Sequence, residues 1–478
     1  MNKPVRVRFA PSPTGLLHIG SARAALFNYL FAKHHNGTFI LRIEDTDRER
    51  FVEGSVEQIV DGLSWLGIEP DEGFWNGEHI GKHGPYVQSH RLEHYQAVAQ
   101  QLIDQGLAYY SYISNEDFAK AKQDAIDRKQ PFVYREEFEP KQKPAASEGY
   151  PIRLRIPKGR TKWSDIVYGD FDVDNATVDD FVILKADGYP TYNFANVIDD
   201  HMMEISHVIR GPEFLPSTPK HAILYDLLEW VRPKFVHVPV ILGPDGKKKL
   251  SKRDGDVDLM DYKKQGFLPE AIVNFLVLLG WNDGTEREFF TLEELVGAFD
   301  ATRIQRSPAK FDIERLRWMN GHYIREGIEL QDLTERLVEY VPQDWLKDEK
   351  YFIDLVALDR ERIKTLADAQ QLLEFFFVDP HYSPELFAAL PDKDAAITGL
   401  TATLDILEGF SGGHDELEKG LRNLAESHNI AAGKLFGALR IAITGRTQAP
   451  GIFDTILMVG TERSVERIRR FLSILRKQ

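Results

Sequence analysis

Two stretches of this chain combine residue types and spacings that can do chemistry. The first is Ala10-Pro11-Ser12-Pro13-Thr14-Gly15-Leu16-Leu17-His18-Ile19-Gly20-Ser21. Its prolines stiffen the backbone, while Gly15 and Gly20 let a ligand approach it closely. A helix beginning beyond it offers unpaired N–H groups and a positive dipole end to an anion, and His18 could add a donor to a phosphate. The second is Gly243-Pro244-Asp245-Gly246-Lys247-Lys248-Lys249-Leu250-Ser251-Lys252-Arg253, a glycine-rich loop with five cations. Such a loop can bring point charges to a pyrophosphate as negative charge builds there, favouring the transition state over the ground state. Each stretch also has a plain structural reading: a proline-stiffened turn with an incidental histidine, and a solvated basic loop.

The elements around both stretches suit a ligand site. Val5 to Phe9 alternates as a strand, and Ala22 to His35 has helical spacing with Gly37 as its stop. Thr38 to Ile43 is a second apolar strand, ending at Glu44-Asp45-Thr46-Asp47. Strand, loop, helix and strand in so short a span make a βαβ crossover, where ligands sit beyond the carboxyl ends of the strands. Ser55-Val56-Glu57-Gln58 has the capping-box pattern, and Gln88-Ser89-His90-Arg91 opens a helix through Tyr95, Val98 and Leu102. Tyr109 to Ile113 is a short strand, and Ser114 to Asp117 caps a helix ending near Lys129. Pro131 to Glu148, without periodicity, is expected to be exposed and mobile. Strands are expected again at Phe181 to Lys185, Ile205 to Ile209 and Phe235 to Leu242, with helices at 190–201 and 218–230 between them.

The first stretch, directly after an N-terminal strand, resembles the HIGH-type nucleotide loop of class I aminoacyl-tRNA synthetases, with Ser21 in place of that motif's second histidine. Followed by Arg42-Ile43-Glu44-Asp45-Thr46-Asp47, it resembles the glutamyl/glutaminyl branch. Lys249-Leu250-Ser251-Lys252-Arg253 is similar to the KMSKS motif in the form used by glutamyl enzymes. Gln88-Ser89-x-Arg91, Phe311-Asp312-Ile313 and Trp318-Met319-Asn320-Gly321 recur in such enzymes too. Helical periodicity beyond 326 is similar to the bacterial-type glutamyl-tRNA synthetases, whose relatives elsewhere end in β-barrels.

That resemblance implies an α/β fold: a doubly wound, Rossmann-type parallel-sheet catalytic domain with an insertion, followed by an all-α anticodon-binding region. The implied boundaries are 1–110 for the first half of the catalytic domain, 111–185 for an acceptor-binding insertion and 186–254 for the second half. A helical stem-contact domain at 255–325 and a helical anticodon-binding region at 326–478, divided near 390, would follow.

The implied reaction is attack of the glutamate α-carboxylate on the α-phosphorus of ATP. The glutamyl group then passes to the 3′-terminal adenosine of tRNA(Glu). His18, Lys249 and Lys252 are the implied catalytic residues. ATP, with Mg²⁺, would lie against Pro11, Ser12, Thr14, Gly15, His18, Gly20, Ser21, Lys249, Leu250, Ser251, Lys252 and Arg253. L-glutamate needs a guanidinium for its side-chain carboxylate and a carboxylate for its ammonium. By resemblance Arg8 and Arg210 are the cations and Glu44 takes the ammonium, with Ala10, Ser12, Tyr192 and Asn196 lining the same pocket. Phe214 stands where the family usually has Trp. Ser111-Tyr112-Ile113 occupies the place of a Cys-x-Cys zinc site found in some relatives, so no zinc is expected. Charging of tRNA(Gln) as well remains open. Glutamyl transfer to a modified tRNA base is disfavoured by the helical 326–478 region, and tRNA binding on a decayed scaffold by the intact Arg8, His18, Glu44 and Lys252.

Composition is consistent with this. The 478 residues are too many for one core, and 43% hydrophobic with 28% charged is ordinary for a globular protein. A net charge of −15 does not suggest a nonspecific nucleic-acid binder. The absence of cysteine excludes disulfides, thiolate ligands and a cysteine nucleophile. No apolar run reaches the length of a membrane span, and the N-terminus enters the first strand directly, so a cytoplasmic protein without membrane attachment is expected, while a monomer is only what the family resemblance implies. Residues 434–478 carry nine Lys or Arg against three Asp or Glu. This excess reads either as a charged helix face or as a contact for RNA.

Overall fold

A computed structural model describes residues 4–129, 131–141, 149–250, 258–390 and 392–477. The chain forms two compact units, one of Met1–Lys263 with Pro269–Ile313 and one of Lys264–Leu268 with Glu314–Gln478.

The first unit is built on parallel strands. β1 (Arg6–Phe9) leads through α1 (Ile19–His34) to β2 (Thr38–Leu41), which lies parallel to it with Arg8 opposite Ile40. α2 (Ser55–Trp65) crosses to β3 (Glu72–Trp75), parallel to β2, and β4 (Glu78–Ile80) folds back on β3. α3 (Leu92–Asp104), β5 (Ala108–Tyr110), α4 (Asn115–Asp127), β6 (Ile152–Leu154), β7 (Arg160–Asp165), β8 (Gly169–Asp174) and β9 (Val182–Leu184) follow. The chain then makes a second crossover through α5 (Tyr192–Met202), β10 (His207–Arg210), α6 (Thr218–Leu227) and β11 (Lys234–His237), with β10 and β11 parallel. Ser206 donates its N–H to the Arg6 carbonyl at 2.9 Å, and its hydroxyl accepts the Arg6 N–H at 2.8 Å. These bonds stitch the entry of β10 to β1, giving the order β3, β2, β1, β10, β11. The chain leaves β1 to one side and returns on the other, and ligands of open α/β sheets bind outside the carboxyl ends at such a switch point.

The segment between the two crossovers divides its strands. β5, β6 and β9 make a small antiparallel sheet packed on α3, α5 and α6 around Leu102, Leu154, Ile183 and Phe194. β7 instead joins the main sheet, parallel to β11 with Asp165 opposite Phe235, and β8 pairs with β7. β12 (Ile241–Leu242) leads into the basic loop, and α7 (Leu259–Lys264) follows it. α8 (Pro269–Leu278), α9 (Leu292–Ala298) and β13 (Ala309–Lys310) complete the unit, with α8 and α9 covering α1. That cover, opposite β1, β2 and β10, explains why α1 is apolar on nearly every side.

Three expectations change. Ser55 does not cap α2: Gly54, at φ 79°, holds the N-cap position, and the Ser55 hydroxyl donates to the Val52 carbonyl at 2.6 Å. The capping box forms at Thr291 and Glu294, and Ser114 caps α4. The strand expected over Phe235 to Leu242 is broken at Val238-Pro239-Val240 into β11 and β12, because proline cannot donate to a ladder. In the stretch expected to be exposed and mobile, 142–148 lie outside the described residues, but Tyr134 is buried. Its ring lies 3.9 Å from the Arg153 guanidinium, and its hydroxyl donates to Glu139 at 2.7 Å. Glu139 also accepts the Ser111 hydroxyl at 2.5 Å and the Tyr112 N–H at 2.6 Å. Single anchors such as these leave no period in the sequence.

The second unit is helical. α10 (Ile313–His322) leads into α11 (Leu330–Leu337), α12 (Glu349–Asp359), α13 (Asp368–Phe377) and α14 (Pro384–Ala388). α15 (Lys393–Leu407), α16 (His414–Ser427), α17 (Ala432–Thr444), α18 (Ile452–Val459) and α19 (Thr461–Leu475) follow. α15 packs on α17 and α19. No helix among the described residues is long and apolar enough to cross a membrane. Five of the nine Lys and Arg of residues 434–478 have ion-pair partners among the described residues. Arg463 and Arg467 both bond Asp379, at 3.1 and 3.2 Å. Arg446 pairs with Glu374, Lys434 with Asp392 and Arg469 with Glu408. Arg467 is buried and also donates to the carbonyls of Ile443 and Val378. Replacing Asp379 with Ala should therefore lower stability by about 1 to 3 kcal/mol, because a buried donor loses its acceptor. Lys477→Ala should change it by less than about 0.5 kcal/mol. Urea unfolding of the two variants checks this.

Candidate active site

The first loop is fastened at both ends of its span. Glu44 donates its backbone N–H to the Pro11 carbonyl at 3.0 Å, and Val52 donates to Pro13 at 2.9 Å. His18 is the N-cap of α1, its Nδ1 accepting the Gly20 N–H at 3.1 Å. With Nδ1 an acceptor, the neutral ring carries its proton on Nε2 as a donor. The basic loop starts and ends beside it. Leu250 donates to the Ile241 carbonyl at 2.9 Å, Gly243 donates to Lys248 at 2.8 Å, and Lys249 Nζ reaches Glu213 Oε1 at 3.3 Å. On the far side Asp258 forms a bridge with His18, and Leu259 donates to the Leu17 carbonyl at 3.0 Å. Ser251, Lys252 and Arg253 lie outside the described residues.

One cavity of 520 Å³ joins these roots to the carboxyl ends of β1 and β10. That is within the range of about 300 to 1,000 Å³ usual for small-molecule sites. Its walls include Arg8, Ala10, Ser12, Glu44, Tyr192, Asn196 and Arg210 on one side. Pro11, Thr14, Gly15, His18, Gly20, Ser21, Lys249 and Leu250 line the other. Every described residue expected at the site thus faces one space. Phe214 stacks on Tyr192 with ring centroids 5.3 Å apart, and the Arg210 guanidinium lies 5.2 Å from its centroid. Phe keeps the stacking surface of a Trp and loses its N–H.

Below the cavity lies a buried ion network. Arg8 grips Asp200 through Nε at 2.9 Å and Nη2 at 3.1 Å. Arg42 donates to the same carboxylate at 2.8 Å and to Glu44 at 3.0 Å. Asp199 accepts from Arg91 at 2.7 Å, Gln88 at 2.8 Å and Tyr95 at 2.9 Å. The Gln-Ser-x-Arg string opens α3 as expected, and its Gln88 and Arg91 side chains hold α5 rather than lining the cavity. Burial pushes the Asp200 carboxyl up, but Arg8 and Arg42 outweigh it and hold it below the usual range. Burial prevails at Glu44, whose carboxyl lies above the usual range despite Arg42 and Arg8. Asn196 donates to Glu44 at 2.9 Å.

Arg210 differs from Arg8 and Arg42. Its Nε donates to His237 Nε2 at 3.1 Å and its Nη2 to the Thr218 hydroxyl at 3.0 Å. Its Nη1 faces the Tyr192 hydroxyl at 3.4 Å and His221 Nδ1 at 3.3 Å. Among the described residues no carboxylate bonds it, and burial lowers its pKa from the ordinary value.

Sequence reading missed Asp199, Asp200 and Arg23. Asp199 and Asp200 follow Asn196 by one helical turn, so two adjacent acids on the buried face of an apolar helix were the available signal. Arg23, on α1, lines the cavity and donates to the carbonyls of Leu279 and Pro239. Burial lowers its pKa to about 10, which leaves it cationic at neutral pH. It ties the helix behind the first loop to the segment that enters β12.

Residues 4–318 match the family of class I tRNA synthetases (E and Q), catalytic domain. The chain belongs to this family. Residues 332–472 match the anticodon binding domain family. A glutamate–tRNA ligase of Dehalococcoides mccartyi is 43% identical over 483 residues, covering 98% of this chain and 97% of that relative. One from Moorella thermoacetica is 42% identical, covering 98% of each. The crystal structure of a glutamate tRNA ligase from Elizabethkingia meningosepticum, in complex with its amino acid, superposes with a TM-score of 0.89 at 32% identity. It covers 99% of this chain and 100% of that one.

In this synthetase the carboxylate of Asp200 accepts from two guanidiniums at once, and Glu44 supplies the second negative charge beside Arg42. Asp200→Asn should cost about 3 to 5 kcal/mol, the loss expected when one partner of a buried pair is removed. Denaturant unfolding followed by tryptophan fluorescence tests this. A change below about 1 kcal/mol would mean that solvent or rearrangement compensates the pair.

Proposed function

We propose that this chain is a glutamate–tRNA ligase, activating L-glutamate with ATP and transferring it to the 3′-terminal adenosine of tRNA(Glu). The observation that carries this reading is Arg210. It is a buried guanidinium that, among the described residues, bonds only neutral groups, in the same cavity as a carboxylate, Glu44, and the two motif loops. An ammonium at Glu44 and a carboxylate at Arg210 describe the two ends of glutamate. Arg8 supports the same ligand, but Asp200 already balances its charge, so Arg210 is the stronger reader of the side-chain carboxylate. Ala10, Ser12, Tyr192 and Asn196 complete that pocket.

ATP is assigned to Pro11, Ser12, Thr14, Gly15, His18, Gly20 and Ser21 and to Lys249 through Arg253. The His18 donor and the N-terminus of α1 meet the phosphates. The glutamate α-carboxylate attacks the α-phosphorus and pyrophosphate leaves, while Lys249 and Lys252 meet the charge that develops on it. No enzyme nucleophile is required, and catalysis is positioning plus charge stabilisation. Among the described residues no cluster of three metal-ligating side chains exists. Mg²⁺ would therefore be held mainly by the phosphates of ATP, where it would screen charge on the leaving group. The segment 111–185 is assigned to the acceptor end of the tRNA, and the helices beyond 326 to its anticodon arm. The enzyme is read as a cytoplasmic monomer.

ATP–pyrophosphate exchange, run with and without tRNA, tests the reading. Exchange should depend on glutamate and not on glutamine, and its absence with tRNA present would overturn the assignment. Arg210→Ala should raise the glutamate KM by about 2 to 5 kcal/mol in equivalent free energy, leaving the ATP KM nearly unchanged. Arg8→Ala should penalise glutamate and an analogue lacking the side-chain carboxylate more evenly. If Arg8→Ala proved the more selective variant, the two arginines would exchange roles.

The enzyme is also read as independent of zinc. Glu139, accepting from Ser111, Tyr112 and Tyr134, supplies the cross-link that a thiolate-bound metal makes elsewhere. Elemental analysis should find no stoichiometric zinc, and activity should survive a chelator once Mg²⁺ is restored. One tightly held zinc per chain would refute this.

A further inference from the structure

Two buried histidines stand behind Arg210, and neither lines the cavity. His237 is its register partner on the neighbouring parallel strand, so β10 and β11 present the two side chains together. Arg210 Nε donates to His237 Nε2, which must carry the lone pair, so the proton is on Nδ1 and points to Asp165 Oδ2 at 2.7 Å. Asp165 is held in turn by the backbone N–H groups of His237, Val167 and Tyr168. His221, one turn into α6, has the opposite tautomer. Its Nδ1 faces Arg210 at 3.3 Å, and its Nε2 proton points to Asn193 Oδ1 at 3.0 Å. The Thr218 hydroxyl also lies 3.4 Å from His237 Nε2 but donates to the Phe214 carbonyl, so the two rings present one lone pair each to the same guanidinium.

We propose that His221 and His237 are positioning residues that orient Arg210 as neutral acceptors, leaving its charge for an anionic side chain of the substrate. The inference rests on the reading of Arg210 given above. A carboxylate in either place would fix the guanidinium equally well but would balance its charge, as Asp200 does for Arg8. An anionic ligand would then gain little over its amide. Burial, reinforced by the Arg210 charge, holds the pKa of His221 well below the ordinary value. Burial also lowers that of His237, against the pull of Asp165. Thr218 follows the same rule: its hydroxyl accepts from Arg210 and donates to the Phe214 carbonyl at 3.0 Å. Four of the five guanidinium N–H groups are thereby directed, and among the described residues one Nη2 hydrogen remains for the ligand.

The test compares two variants of nearly equal shape, His221→Asn and His221→Asp. Asn places a neutral oxygen near the position of Nδ1; Asp places a charged one there. Exchange kinetics with tRNA present give the KM for glutamate, glutamine and ATP in each. Asn should keep the glutamate KM within about threefold, whereas Asp should raise it by at least about tenfold, the scale of one charge-assisted contact. The ATP KM should stay constant, and the preference for glutamate over glutamine should fall only in the Asp variant. His237→Gln, whose oxygen reaches the place of Nε2, should behave as the Asn variant does. Equal effects of Asn and Asp, large or small, would overturn the proposal. If His221→Asp and Arg210→Ala were both silent while the wild type activates glutamate, the reading of Arg210 itself would fall. If only His221→Asp were silent, that reading would stand without this inference.

Discussion

Asp200 lies between the guanidiniums of Arg8 and Arg42, and the ligand-facing edge of the sheet depends on that carboxylate. β1 and β2 are neighbours, and Arg8 on β1 and Arg42 just past β2 reach the same buried space. Two such cations without water repel strongly, and neither can lose its proton. An anion must therefore sit between them, and α5 supplies it from the opposite crossover. Asp199, one residue earlier, does the same for Arg91 and adds Gln88 and Tyr95. The two halves of the doubly wound sheet are joined at their switch point by charge as well as by apolar packing.

This arrangement separates two kinds of arginine in one cavity. Arg8, in the wall of the cavity, and Arg42, buried beneath it, are both held by carboxylates of the protein itself. Arg210 is surrounded by imidazoles and hydroxyls that direct it without neutralising it. Glu44, raised by burial and held by Arg42 and Asn196, is the matching negative end. The two motif loops share this economy of placement. Asp258 and Leu259, where the chain returns from the basic loop, pair with His18 and Leu17, so both loops hang from one point of the backbone.

Elsewhere the chain meets similar needs by other means. A carboxylate, Glu139, gathers three donors, from Ser111, Tyr112 and Tyr134. In the helical unit Asp379 gathers Arg463 and Arg467, so two of the nine cations that stand out in the sequence pack α19 against the residues after α13.

The order of elements was legible before any coordinates, because period and punctuation are local properties. The prolines and glycines of residues 10–20 mark the first loop, and the Ala- and Leu-rich run after it marks α1. The residues that the motifs suggested, where described, line one cavity, although Arg23 of the same lining carried no motif. Local pattern was insufficient where a side chain's partner lies far along the chain. Ser55 carries a capping-box pattern, yet the turn at Gly54 takes its place. Tyr134 sits in an aperiodic stretch, yet Arg153 and Glu139 bury it. Asp199 and Asp200 look like solvated helix charges until Arg8, Arg42 and Arg91 are brought to them. Charge and residue type belong to the sequence; whether a charge is balanced or left for a ligand depends on neighbours more than a hundred residues away, as 192 separate Arg8 from Asp200, and only the packed sheet decides it.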